Sequence, residues 1–380
     1  MKKKVALFSC HHDPNYGSML QAYALAFAIR RFGWAAEYLN YYPLDDPRTP
    51  IRRLKWILNW PIKRLQGMRH TPEPKSEFSF FKTQEFADIK GAFERFHKSY
   101  IPVSKKRYFY DTIKRQLTVE DYCNYIVGSD QTWSPKLMNP KKPYFLDFAE
   151  LPIKNAYAPS MGTTNIPEEF KKIILGKLRD FNHLSCREAV NSRMLTELLG
   201  REVKHVLDPT LLLNSTDWDT IATNSPIKGE YILVYLLGEK DSIISFANKL
   251  ASKHKLPIYY VVTRPKYLSM ENSISGVGPD DWIGLVKKAR YVVTDSYHGV
   301  LFSVNYNVNF YAFSKREGSL DSEDNGRILE FLKFIGLEKR FQDDKNNPQL
   351  FNDIDFSHVN EVINTMRVTS LDYLNTCLED

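Results

Sequence analysis

Apolar and polar positions follow a repeating order along this chain: a short run of β-branched and aromatic residues, a polar or glycine-bearing turn, then a segment of helix formers. Residues 5–9 predict a buried strand, 10–17 a polar loop, 18–33 a helix capped by Gly33, and 35–42 a second strand. That order is a βαβ unit whose loop lies at the carboxyl edge of the sheet. The spacing continues with a helix over 78–100 and strands at 125–127, 154–159, 183–187 and 203–207, between which lie helices at 167–181 and 188–199. It then restarts, with strands at 231–237, 258–263, 291–294 and 308–313 and helices at 241–254, 280–289, 300–306 and 326–335. The expected fold is α/β, with two Rossmann-like lobes and an active cleft between them. The first lobe is expected over 1–215, and the second, with a C-terminal helix, over 216–380.

One stretch breaks the order. Residues 43–76 are punctuated by six prolines, and 51–69 hold six Lys and Arg, no acidic residue, and Trp56 and Trp60. This insertion reads either as a basic surface helix packed by its tryptophans or as a peripheral contact with a membrane surface. No apolar run approaches the roughly 20 residues that span a bilayer. The four cysteines, Cys10, Cys123, Cys186 and Cys377, match no metal or redox spacing and suit a reducing compartment. A cytoplasmic protein, in peripheral contact with the inner face of the cell membrane at most, is expected. The net charge of +7 favours anionic partners. Without a nucleic-acid module, phosphorylated small molecules fit better than nucleic acid.

Candidate chemistry gathers at the strand ends, where ligands of open α/β sheets bind. Asn15, Gly17 and Ser18 precede the first helix, whose free N–H groups suit an anion or are simply capped. Asp295, Ser296 and His298 follow a strand directly, and a histidine there is a general acid or a phosphate partner. Ser129, Asp130 and Gln131 form a third such loop, and Arg187 opens a helix in a fourth. Arg187, Arg316 and Arg327 have the forked donors that match carboxylate and phosphate oxygens; alternatively Arg187 pairs with an internal carboxylate, and Arg316 and Arg327 are solvated surface charges. His11-His12-Asp13 has no partner at metal-binding spacing, so no metal is expected.

Six motifs, in order, resemble the polysaccharide pyruvyl transferase family. They are Asn15-Tyr16-Gly17-Ser18-Met19-Leu20-Gln21-Ala22-Tyr23, Gly128-Ser129-Asp130-Gln131-Thr132-Trp133, Tyr157-Ala158-Pro159-Ser160-Met161-Gly162, Ser185-Cys186-Arg187-Glu188, Leu207-Asp208-Pro209-Thr210 and Thr294-Asp295-Ser296-Tyr297-His298-Gly299. Asn325-Gly326-Arg327-Ile328 also fits. The resemblance implies a GT-B-like fold and transfer of the enolpyruvyl unit of phosphoenolpyruvate to a sugar, giving a pyruvate ketal. The acceptor would be a surface polysaccharide or its lipid-linked or nucleotide-linked precursor, and no cofactor is implied beyond the donor substrate. His298 would be the acid or phosphate partner, Arg187 would hold the donor's carboxylate or phosphate, and Asp130 would be the base or touch the acceptor. Better-studied members resemble a pattern with Arg two residues before this His. Here Ser296 stands there, and Arg316 or Arg327 is the spatial substitute. The competing expectations are a GT-B-like glycosyltransferase using a nucleotide-sugar and a non-catalytic partner in glycan assembly.

Overall fold

The computed structural model describes residues 4–12, 14–42, 83–117, 121–137, 143–148, 154–163, 165–315, 326–342, 349 and 352–379. The basic insertion at 43–76, with its membrane expectation, and Arg316 lie outside the described residues.

The first lobe begins with β1 (Lys4–Phe8), α1 (Tyr16–Arg31), β2 (Ala35–Tyr42), α2 (Gln84–Tyr100), β3 (Val103–Phe109), the single turn α3 (Ile113–Gln116), β4 (Asn124–Val127) and β5 (Lys154–Ala156). Its five strands are parallel, in the order β3-β2-β1-β4-β5. Then come α4 (Glu168–Leu178), β6 (Ser185–Cys186), α5 (Ala189–Leu199) and β7 (Lys204–His205), where β6 and β7 form a separate two-stranded pair. After the turn α6 (Ser215–Trp218), the second lobe runs through β8 (Ile232–Tyr235), α7 (Asp241–His254), β9 (Ile258–Val261), β10 (Ser273–Ile274), α8 (Pro279–Lys288), β11 (Tyr291–Thr294), α9 (Tyr297–Asn305), β12 (Asn309–Phe313), α10 (Gly326–Phe334) and β13 (Phe341–Gln342). Its six-stranded parallel sheet has the order β10-β9-β8-β11-β12-β13.

The central strands read as continuous apolar runs because helices cover both faces of a parallel sheet. Every residue of β4, β8, β11 and β12 is buried. The sequence reading misses β3, whose Lys105-Lys106-Arg107 run faces solvent and hides the apolar alternation of an edge strand.

The chain closes with α11 (Ser357–Glu379). The sequence places this helix with the second lobe, but it packs onto the first. The Tyr373 hydroxyl donates to the Ala156 carbonyl at 2.9 Å, the Leu207 N–H donates to Ser370 Oγ at 3.0 Å, and the Asn124 and Asn155 amides both donate to the Cys377 carbonyl. Those bonds satisfy buried polar groups beside β4 and β5, which an apolar helix face alone would leave unpaired. The lobes also share one apolar core. Tyr16 of α1 stacks on Trp282 of α8 at 5.3 Å and donates its hydroxyl to the Val277 carbonyl at 3.0 Å. Each such aromatic pair adds about 0.5–1.5 kcal/mol beyond area burial.

Candidate active site between the lobes

Four first-lobe loops and one second-lobe turn meet at the sheets' carboxyl ends. Asp208, which follows β7, is fully buried at their centre. Its Oδ2 accepts from Arg187 Nη1 at 2.7 Å and from Ser129 Oγ at 3.2 Å, while Oδ1 accepts from the Thr210 N–H and hydroxyl. His298 Nε2, from the opposite lobe, lies 3.6 Å from the same Oδ2. Burial is the largest influence on this carboxyl and would raise its pKa. His298, Arg187 and the Thr210 N–H together outweigh it and hold the pKa well below the usual carboxylate range.

Arg187 follows β6 and is itself buried. Burial disfavours its charge, but Tyr297, Glu188, Asp208 and Asp130 reverse the effect, so its pKa is raised. Its guanidinium lies 4.4 Å from the centre of the Tyr297 ring, and Arg327 approaches the same ring at 6.0 Å. The pKa of Arg327 is lowered by burial and then by the nearby charge of Arg187. Turning the Gln131 amide over lets its oxygen accept from both terminal nitrogens of Arg327, at 3.2 and 3.0 Å.

Three buried nitrogens have no hydrogen-bond partner here: Arg187 Nη2, Arg327 Nε and His298 Nε2. Two arginines beside one ring, with a histidine on the carboxylate that one of them uses, form a donor-rich anion site. The enclosed space lined by Arg187, Glu188, Asp208, Tyr297, Arg327 and Glu330 measures about 30 Å³, room for about one water. A wider hollow of about 210 Å³ lies between the lobes, lined by Asn15, Tyr16, Tyr235, Leu237, Arg264 and Lys315 among others.

The remaining candidate residues fall into two groups. In the first, Gly17 packs against the His298 ring so closely that a Cβ there would stand 2.0 Å from Nδ1. Ser18 Oγ donates to Asp130 Oδ2 at 2.5 Å, and Asp130 takes the left-handed conformation (φ 67°) that Asp tolerates better than most residues. Asp130 also adds to the field at both arginines. The second group supports the backbone. Asn15 caps α1 by accepting from the Ser18 N–H, and Ser296 caps α9 by accepting from the Gly299 N–H at 3.4 Å. The Asp295 carboxylate accepts the N–H groups of Leu237 and Gly238 at 2.6 and 2.8 Å, which places it under the β8–α7 loop. Burial raises its pKa, against the opposing effect of those two bonds.

The sequence reading assigns no role to Asp208, Glu188 or Tyr297. The available signal was a charged or aromatic residue inside a motif at a strand end; what each one pairs with is set by the fold. Among the described residues, one group of three side chains could hold a metal ion: His11, His12 and His97.

A search of curated proteins finds no match. Solved structures of similar shape include the UDP-GlcNAc 2-epimerase of Methanocaldococcus jannaschii, at 13% identity and TM-score 0.49 over 96% of this chain and 92% of that one. A putative UDP-N-acetylglucosamine 2-epimerase of Listeria monocytogenes matches at 11% identity and TM-score 0.46, over 99% and 91%. The E. coli ADP-heptose LPS heptosyltransferase II matches at 9% identity and TM-score 0.38, over 97% and 99%. The profile of the family described as polysaccharide pyruvyl transferase matches residues 15–315, a span that holds the first-lobe loops and the His298 turn, and the chain belongs to that family.

Proposed function

We propose that the chain transfers the enolpyruvyl unit of phosphoenolpyruvate to two hydroxyls of one sugar in a surface polysaccharide, such as a capsule or exopolysaccharide, or in its lipid-linked or nucleotide-linked precursor. The observation that carries this reading is the set of three unpartnered nitrogens on Arg187, Arg327 and His298. The donor has a phosphate and a carboxylate, and forked arginines match both groups. Arg187 and Arg327 hold these anions, and Arg327 takes the part of the arginine absent at Ser296.

In the reaction, a proton adds to the methylene carbon of the donor and makes the adjacent carbon electrophilic. One sugar hydroxyl adds to that carbon, phosphate leaves, and the second hydroxyl closes the ketal. Two hydroxyl protons are lost; the new methyl group gains one proton and the released phosphate another, so atoms and charge balance. His298 is the acid, and Asp208 Oδ2, 3.6 Å from its Nε2, helps to orient the ring. Asp130 assists hydroxyl attack. The hollow lined by Asn15, Arg264 and Lys315 takes the acceptor.

The test is phosphate release from phosphoenolpyruvate, with and without sugar acceptors, alongside parallel incubations with UDP-sugars. Phosphate release that depends on a sugar and disappears in His298→Ala supports the reading. UDP release, or no thermal shift with phosphoenolpyruvate, overturns it.

A further inference from the structure

The geometry points to a divalent transition-metal site, of the zinc type, formed by His11, His12 and His97 and separate from the donor-binding residues. His11 and His12 lie in the loop after β1, and His97 lies in the last turn of α2, so the partner spacing missing from the sequence is supplied by the fold. The three donor nitrogens all lie within 4.8 Å of one another. His11 Nδ1 and His97 Nε2 are hydrogen-bonded at 3.1 Å. A tetrahedral ion with arms of 2.0–2.1 Å needs donors about 3.4 Å apart. That pair is already near this spacing, and the exposed His12 ring lies 3.9 Å from His11 and 5.7 Å from His97 between centroids.

The chemistry of the cluster agrees. A buried histidine ordinarily pairs with a carbonyl or carboxylate, yet the Nδ1 of buried His11 meets another imidazole. The His11 and His12 rings lie 3.9 Å apart between centroids, and those of His11 and His97 lie 5.4 Å apart and nearly parallel. Imidazoles alone, without carboxylate, suit Zn²⁺, Cu²⁺ or Ni²⁺ better than Mg²⁺ or Ca²⁺.

Three protein ligands leave one position open. Two hollows border the cluster: one of about 510 Å³ is lined in part by His12 and His97, and one of about 280 Å³ by His11 and His12. The charged residues lining the first, Lys90 and Glu94, pair with each other at 3.6 Å. A bound ion would tie the loop leading to Asn15 and Gly17 to α2, which itself packs on α8 of the second lobe.

The test uses the full chain without a polyhistidine tag, stripped with chelator and titrated with ZnCl₂ by calorimetry. Zinc content is measured after gel filtration, and Co²⁺ serves as a spectroscopic probe. One retained equivalent is expected, with a raised melting temperature and the visible bands of low-coordinate Co²⁺. His12→Ala and His97→Ala should each weaken binding more than about tenfold, since even changes behind the ligands cost 10–100-fold. His358→Ala, at an exposed histidine on α11, should leave binding unchanged. If His97→Ala fails to fold, the exposed His12→Ala carries the test. No retained zinc in the wild type, or wild-type retention in His12→Ala, overturns the proposal, as does equal loss in His358→Ala.

Discussion

The turns that open α1 and α9 have nearly the same local plan and opposite roles. Each has a polar N-cap, Asn15 or Ser296, and each next places a tyrosine, Tyr16 or Tyr297. Both tyrosines reach toward the opposite lobe: Tyr16 enters the aromatic core beside Trp282, and Tyr297 lies against the Arg187 guanidinium. The next residue separates them. It is Gly17 in the first lobe and His298 in the second, and the two are in contact. One turn delivers a titratable ring and the other makes room for it. Similar backbone chemistry at two helix starts therefore yields a buried histidine and its seat, depending on one side chain.

The largest effect expected in this arrangement comes from the carboxylate that serves both lobes. Asp208→Ala leaves Arg187 buried without the carboxylate it bonds at 2.7 Å, and the loss of stability should be about 3–5 kcal/mol in a denaturant titration. The same group sets an acid limit. A carboxyl whose folded pKa is depressed contributes stability above its unfolded value near 3.9 and loses that contribution as pH falls below it. Wild-type stability should therefore drop as pH falls below about 4, and Asp208→Asn should lack that component. An unchanged acid slope in Asp208→Asn would remove Asp208 from the centre of the site.

His298→Ala should reduce turnover by about 10²–10⁴ with a native circular dichroism spectrum, and should also lower the melting temperature because the ring is buried between Gly17 and Asp208. Gly17→Ala should destabilise by about 1–3 kcal/mol through overpacking, because its Cβ would fall 2.0 Å from His298 Nδ1. It should also lower turnover about 10²-fold by displacing that ring. The double variant decides whether the two turns are coupled: with His298→Ala already present, the stability penalty of Gly17→Ala should largely vanish. Simple additivity would show that the two turns act independently. The smallest effect should be that of Ser296→Ala, about 0.5 kcal/mol, because the capping distance to the Gly299 N–H is already 3.4 Å.

The α/β alternation was legible because parallel strands covered on both faces read as apolar runs ended by turns. The loops at 15–18, 128–131, 187–188 and 294–299 were legible because polar, titratable side chains at such ends have no core to fill. Within those loops the sequence did not separate caps from contacts. Asn15, Ser296 and Asp295 hold backbone, whereas Gly17, Ser129, Asp130, Gln131, Arg187, Arg327 and His298 meet around the cleft. Besides the edge strand β3, two long-range features were not legible. The return of α11 to the first lobe depends on buried amides that find Cys377, and the meeting of His97 with His11 depends on α2 packing on α1 through Phe93 and Phe96.

By itself, then, the sequence determined the order of strands and helices, the positions of the polar turns, and the residue types able to bind an anion. Those are local properties, carried by side-chain period and by turn and cap chemistry over a few residues. Only the tertiary structure decided that Asp208 serves both Arg187 and His298, that Arg327 rather than a neighbour of His298 stands beside Arg187, and that Gly17 must lack a side chain. Such pairings join residues far apart in the chain, and their strength depends on burial and on separations of a few ångströms, neither of which the order of residues specifies.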